Sequence, residues 1–134
     1  MYQSDWILRQ IEMFSTILKR LVSMLREQRP EEALELAAEG IGEVLDTDPA
    51  LADSLTGEGL VSLLSAGGSI DTMRAHVLGE ILAARAEAHE QLGEQDAAEY
   101  ERERARIVLE ALAPEVEGEQ AEAVAKLLAS ISRS

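Results

Sequence analysis

The sequence predicts an all-α protein of five to six helices. Three observations carry that prediction. Aromatics make up only 3% of the 134 residues, while Ala, Leu, Glu and Arg are plentiful, a mixture that favours helix and disfavours a β-core. Apolar residues recur at alternating spacings of three and four through most of the chain. The three prolines, Pro30, Pro49 and Pro114, fall where one such pattern stops and another starts.

The first element runs from Ser4 to about Gln28. Ile7, Ile11, Phe14, Leu18, Leu21 and Leu25 form the seam of a helix packed along its whole length. Trp6, Met13, Ile17 and Met24 form a second stripe, and Leu8 and Val22 widen the apolar surface. A helix packed on one neighbour needs one stripe, so this helix is expected to meet more than one surface. Trp6 and the six seam residues are therefore the candidate interface, either for a homodimer or for another protein. The competing expectation is that the same residues are ordinary core.

Pro30 opens the next helix, with Glu31 and Glu32 at its positive end and Leu34, Ala38, Ile41 and Leu45 as its buried stripe. Gly40 and Gly42 cost about 1 kcal/mol each relative to Ala, which points to close approach of another helix. Asp48 and Pro49 cap and start a leucine-rich segment to Leu64, read as one or two short helices broken at Thr56-Gly57. The loop around Asp46, Asp48 and Asp53 lacks the central glycine of a calcium loop. Ser65 to Ser69 is a turn without the Gly-Lys-Ser/Thr of a phosphate loop.

Ile70 to Leu92 reads as the second long helix, with Ile70, Met73, Val77, Ile81, Ala84, Ala88 and Leu92 as its stripe and Gly93 as its stop. Glu94 to Leu112 follows, buried through Ala98, Ala105, Val108 or Leu109, and Leu112. Its first half is polar nearly all round, with Glu99, Glu101 and Glu103 each three residues before Arg102, Arg104 and Arg106. Pro114 stops it, and Ala121 to Ile131 forms a last short helix. The chain thus reads as one domain: residues 1–29, a long amphipathic helix; 30–69, a helix plus the leucine-rich segment; 70–113, a helical hairpin; and 114–134, a short helix.

The formal net charge is −14. Residues 1–29 carry five basic and three acidic side chains, which leaves −16 on the rest. Nucleic acid is excluded as a partner, because phosphate binding needs clustered Lys and Arg. A slightly basic amphipathic helix is compatible with a membrane surface, but packing against protein is the favoured reading. No apolar run approaches the ~20 residues of a membrane span, and the charges at Asp5, Arg9, Glu12 and Lys19 break any signal-peptide core. The absence of cysteine removes disulfides, thiolate metal sites and thiol nucleophiles and accords with a cytoplasmic protein.

Enzymatic and cofactor signatures are missing, and no enzyme activity, cofactor or metal is expected. His76 and Glu80 have a metal-compatible spacing, but His89 lies almost four turns away and the chain has no Glu-x-x-His. The alternative to an interaction module is a metal-binding or enzymatic helical protein using His76, His89 and nearby glutamates. Arg74 and Arg85 share a helix face, and with Arg102 or Arg106 they outline a candidate groove for an acidic peptide. The alternative is that these arginines pair with neighbouring glutamates.

Ile81 to Pro114 resembles a tetratricopeptide repeat, with Leu92-Gly93 as the turn and Ala98 and Ala105 as small residues seven apart. The helix from Pro30, with Ala33 and Gly40 seven apart and a later Asp48-Pro49, is similar to the second helix of such a repeat. Residues 4–112 also resemble an uncharacterised family of small bacterial helical proteins. The match rests on Asp5-Trp6-Ile7 with Arg9, Ile11 and Glu12, and on ALADSLTGEGLVSLLS at 50–65. The first resemblance implies antiparallel helical hairpins and a protein-binding groove. The second implies a fold and carries no activity.

Overall fold

A computed structural model describes the backbone of residues 2–132 and the side chains of residues 8–132. The described residues form seven α-helices and one 3-10 turn, with no strand: α1 (Tyr2–Arg26), α2 (Pro30–Leu45), α3 (Pro49–Asp53), α4 (Gly57–Leu64), α5 (Thr72–Gln91), α6 (Gln95–Leu112) and α7 (Gly118–Ser132). The 3-10 turn spans Ala113–Glu115. The all-α class holds, and the count exceeds the expected five to six. The leucine-rich segment makes two helices, because the Thr56 side chain accepts from Gly59 N at 3.1 Å and starts α4 afresh.

Local chemistry sets most of the helix ends. Asp48 accepts from Ala50 N at 2.8 Å ahead of Pro49, and Asp71 accepts from Arg74 N at 3.1 Å. Asp71 places the start of α5 at Thr72, so Ile70 lies outside the helix. Gly93, at φ +76°, reverses the chain between α5 and α6.

Helix α5 is the centre of the molecule. It pairs with α6, lies along α2 and α1, and touches α4 and α7. This position explains why its deepest residues are Ala75, Leu78, Gly79, Ile81, Leu82, Ala86 and Ala88 and not one simple stripe. Helix α3 packs on α2, α4 on α6, and α7 on α6. The core gathers Phe14 and Leu21 from α1, Ile41 and Val44 from α2, Leu60 from α4, Leu78, Ile81 and Leu82 from α5, Val108, Leu109 and Leu112 from α6, and Val124 from α7.

Two glycines let helices approach closely. A Cβ on Gly40 would stand 3.1 Å from both Ile17 and Ile81, where α1, α2 and α5 meet. A Cβ on Gly79 would stand 2.5 Å from Leu109 Cδ2, on the α5–α6 seam.

Long side chains also reach back to the carbonyls that end the earlier helices. Gln91 donates to Leu25 O at 2.9 Å, Arg74 donates to Val44 O, and Arg104 donates to Ala52 O at 2.9 Å. These contacts give acceptors near the ends of α1, α2 and α3 a donor from α5 or α6.

Candidate functional site

A groove of about 660 Å³ opens where α1, α5 and α7 border one another. Leu18, Leu21, Val22 and Leu25 form its α1 wall, Ala83 and Ala84 lie on α5, and Leu127 and Ile131 come from α7. A second hollow of about 390 Å³ continues it toward the start of α1 through Ile11, Phe14, Met73 and Val77, and shares Leu18 and Glu80 with the first. Glu80, Glu87 and Glu90 give the groove an acidic border. Arg102 also lines it, paired with Glu90 and Glu99 at 3.2 Å each.

The candidate interface on α1 divides into two parts. Phe14, Leu21 and Leu25 are core, with Phe14 only 1% exposed. Ile17 and Met24 are half-buried against that core. Ile11 is exposed and Leu18 half-exposed at the groove, and Leu8 and Val22 are 56% and 52% exposed. Trp6 and Ile7 lie outside the residues whose side chains are described. Leu8, Ile11, Leu18 and Val22 thus form the solvent-facing stripe. The seam expected from the sequence ran one flank too far into the core, because apolar residues continue from the buried face of α1 onto the edge of its exposed face at Leu8, Ile11 and Val22.

The four candidate groove arginines do not converge as a set: Arg102 and Arg106 share a small hollow with Glu99 and Glu103, and Arg74 and Arg85 lie apart from it. Arg74 serves the end of α2 and pairs with Asp71 at 3.3 Å. Arg85 turns to Asp53 at 2.7 Å, and Arg106 pairs with Glu103 and Glu110 on its own helix. Of the four, only Arg102 lines the main groove. The histidines are separately engaged: His76 lies 3.2 Å from Glu80 and 3.3 Å from Gln120, and His89 lies 2.7 Å from Glu94. Among the described residues, no group of three or more His, Cys, Asp or Glu is placed to hold a metal ion. Among the described residues, no helix is long and apolar enough to cross a membrane.

Sequence reading missed a buried charge cluster. Glu101 and Arg104 are 4% and 2% exposed and pair at 3.0 Å. Arg85 Nε stands 3.8 Å from Glu101, and Arg85 also holds Asp53. The cluster ties α3 to the α5–α6 hairpin. Its i,i+3 Glu-Arg spacing was visible, but the same spacing repeats at two exposed pairs beside it, so nothing in the pattern marked this one as internal. Burial disfavours the charge on Arg85, but the Asp53 hydrogen bond and the charge of Glu101 outweigh it and raise its pKa.

The Arg85 hydrogen bond in turn holds the Asp53 carboxyl below its ordinary range. A depressed carboxylate contributes stability above its unfolded pKa of about 3.9 and loses it as pH falls through the native value. Asp53 is mostly solvated, so the contribution is under about 1 kcal/mol. Urea midpoints between pH 5 and pH 2 are expected to fall more for the wild type than for Asp53→Asn.

No protein-family model, curated protein or solved structure matches the chain.

Proposed function

We propose that this chain is a non-enzymatic protein-interaction module that self-associates through α1. The observation that carries the proposal is the stripe of Leu8, Ile11, Leu18 and Val22. It runs along the outer face of α1 and is continuous with an apolar groove; among the described residues, Leu8, Ile11 and Val22 are left exposed and Leu18 is half-covered by the core. Uncovered, contiguous apolar surface of this kind marks an interface. The acidic border of the groove disfavours an acidic peptide and favours a segment with basic flanks. Helix α1 is such a segment by its overall balance, with four basic and two acidic side chains over Tyr2–Arg26.

A tetratricopeptide-like arrangement goes with this proposal. The consecutive pairs α1–α2 and α5–α6, the Gly93 turn and the groove beside α1, α5 and α7 support it. We place the protein in the cytoplasm of a bacterium on the same basis as the family resemblance and the absence of cysteine.

One helix-on-helix seam about 37 Å long is small beside the roughly 1,600 Å² of a standard interface, so the dimer is expected to dissociate on dilution. Val22→Glu places a charge on the stripe without entering the core. Sedimentation velocity is expected to show this variant monomeric at concentrations where the wild type is dimeric, with an unchanged helical circular-dichroism signal. Association equal to wild type would remove α1 from the interface. Phe14→Glu is unsuited to this purpose, because Phe14 is internal and the variant is expected to unfold.

A further inference from the structure

We infer that the two α1 helices of the dimer run antiparallel, in a register set by Glu12 and Lys19; the inference rests on self-association through α1. The outward stripe of α1 follows a heptad seam, Leu8, Ile11, Ser15, Leu18 and Val22, alternating by three and four, with Leu8, Ile11 and Val22 exposed and Ser15 and Leu18 half-exposed. One flank of this seam, at Phe14 and Leu21, is buried in the protomer's own core. The other flank holds Glu12, Lys19 and Arg26, one heptad apart, all exposed. Among the described residues, none of the three side chains takes part in an ion pair. By sequence, Asp5 occupies the next position of this row toward the N-terminus. The row therefore reads acid, acid, base, base along the helix.

Symmetry turns that order into an orientation. In a two-fold antiparallel pair, the open flank of one helix lies beside the same flank of the other, with the sequence running the opposite way. Centred near Ser15, this arrangement places Glu12 beside Lys19 of the second copy, and Lys19 beside Glu12. Asp5 and Arg26 repeat the complement one heptad further out. Ile11 then lies against Val22 of the second copy, and Leu18 against its Ser15. In a parallel pair the open flank would face the position of Phe14 and Leu21, which is internal, and the charges would find no partner. Charges flanking an apolar seam set partner orientation in this way.

The test compares dimer dissociation constants by sedimentation for Glu12→Lys, Lys19→Glu, the double variant and Arg20→Glu. Arg20 is exposed on α1 away from the stripe and controls for net charge. Each single reversal turns two attractions into two repulsions and is expected to weaken the dimer about tenfold. Glu12→Lys weakens it even though it makes an acidic protein less acidic. The double variant returns to within about threefold of wild type, and Arg20→Glu stays near wild type. A dimer indifferent to all four substitutions overturns the antiparallel register and leaves self-association standing. A wild-type chain that never dimerises overturns both, and the stripe then belongs to a different protein's helix.

Discussion

Arg104→Ala is expected to lower stability by about 3 kcal/mol, read as a fall in the urea midpoint with an unchanged slope. The substitution removes the 3.0 Å partner of Glu101 and leaves a carboxylate that is 4% exposed with, among the described residues, Arg85 at 3.8 Å as its remaining ion-pair partner. It also removes a donor from Ala52 O and so loosens α3. Replacing both members of the pair separates the penalty of breaking it from its net worth. Glu101→Leu with Arg104→Met is expected within about 1 kcal/mol of wild type, or above it. The cluster is incompletely satisfied, since Arg104 Nε and Arg85 Nε have no hydrogen-bond acceptor among the described residues. Equal losses in the single and the double variant would show that the pair contributes beyond its own neutralisation.

Gly79→Ala is expected to destabilise by about 1–3 kcal/mol, against the helix propensity that favours Ala by about 1 kcal/mol. The new methyl would stand 2.5 Å from Leu109 Cδ2 and 2.8 Å from Cγ. Leu109 is fully buried and cannot swing into solvent, so either its side chain is forced into a strained position or α5 and α6 part. Gly67→Ala supplies the control, because nothing lies within 4 Å of its added carbon. Its stability is expected to be unchanged or slightly raised. Combining Gly79→Ala with Leu109→Ala is expected to cost less than the two single losses together, because each relieves the other. Strict additivity would place the strain elsewhere.

What the sequence made legible follows the physics of each signal. Caps and stops are local, so Asp48, Pro49, Thr56 and Gly93 marked helix ends from sequence alone. The burial of Ala98, Ala105 and Leu112 also followed from spacing, because α6 hides one face; spacing left Val108 and Leu109 as alternatives, and both are buried. Helix α5 resisted that reading. It is enclosed on several sides: of its expected stripe Ile81 and Ala88 are buried, but Met73, Val77 and Ala84 lie along the groove, while Leu78 and Leu82, outside that stripe, fill the core. The arginines resisted it for another reason. Arg74 and Arg85 do share a face of one helix, but their acceptors, Val44 O and Asp53, belong to helices at least 30 residues away. Spacing reports which face a residue occupies, and only tertiary structure reports what meets it there.

The account stands most directly on one quantity, the mass of the wild-type chain in solution, measured by light scattering over a concentration series. Self-association through the uncovered face of α1 predicts a mass that climbs from 14.6 kDa toward twice that value and levels off there. A mass of 14.6 kDa at every concentration would contradict it.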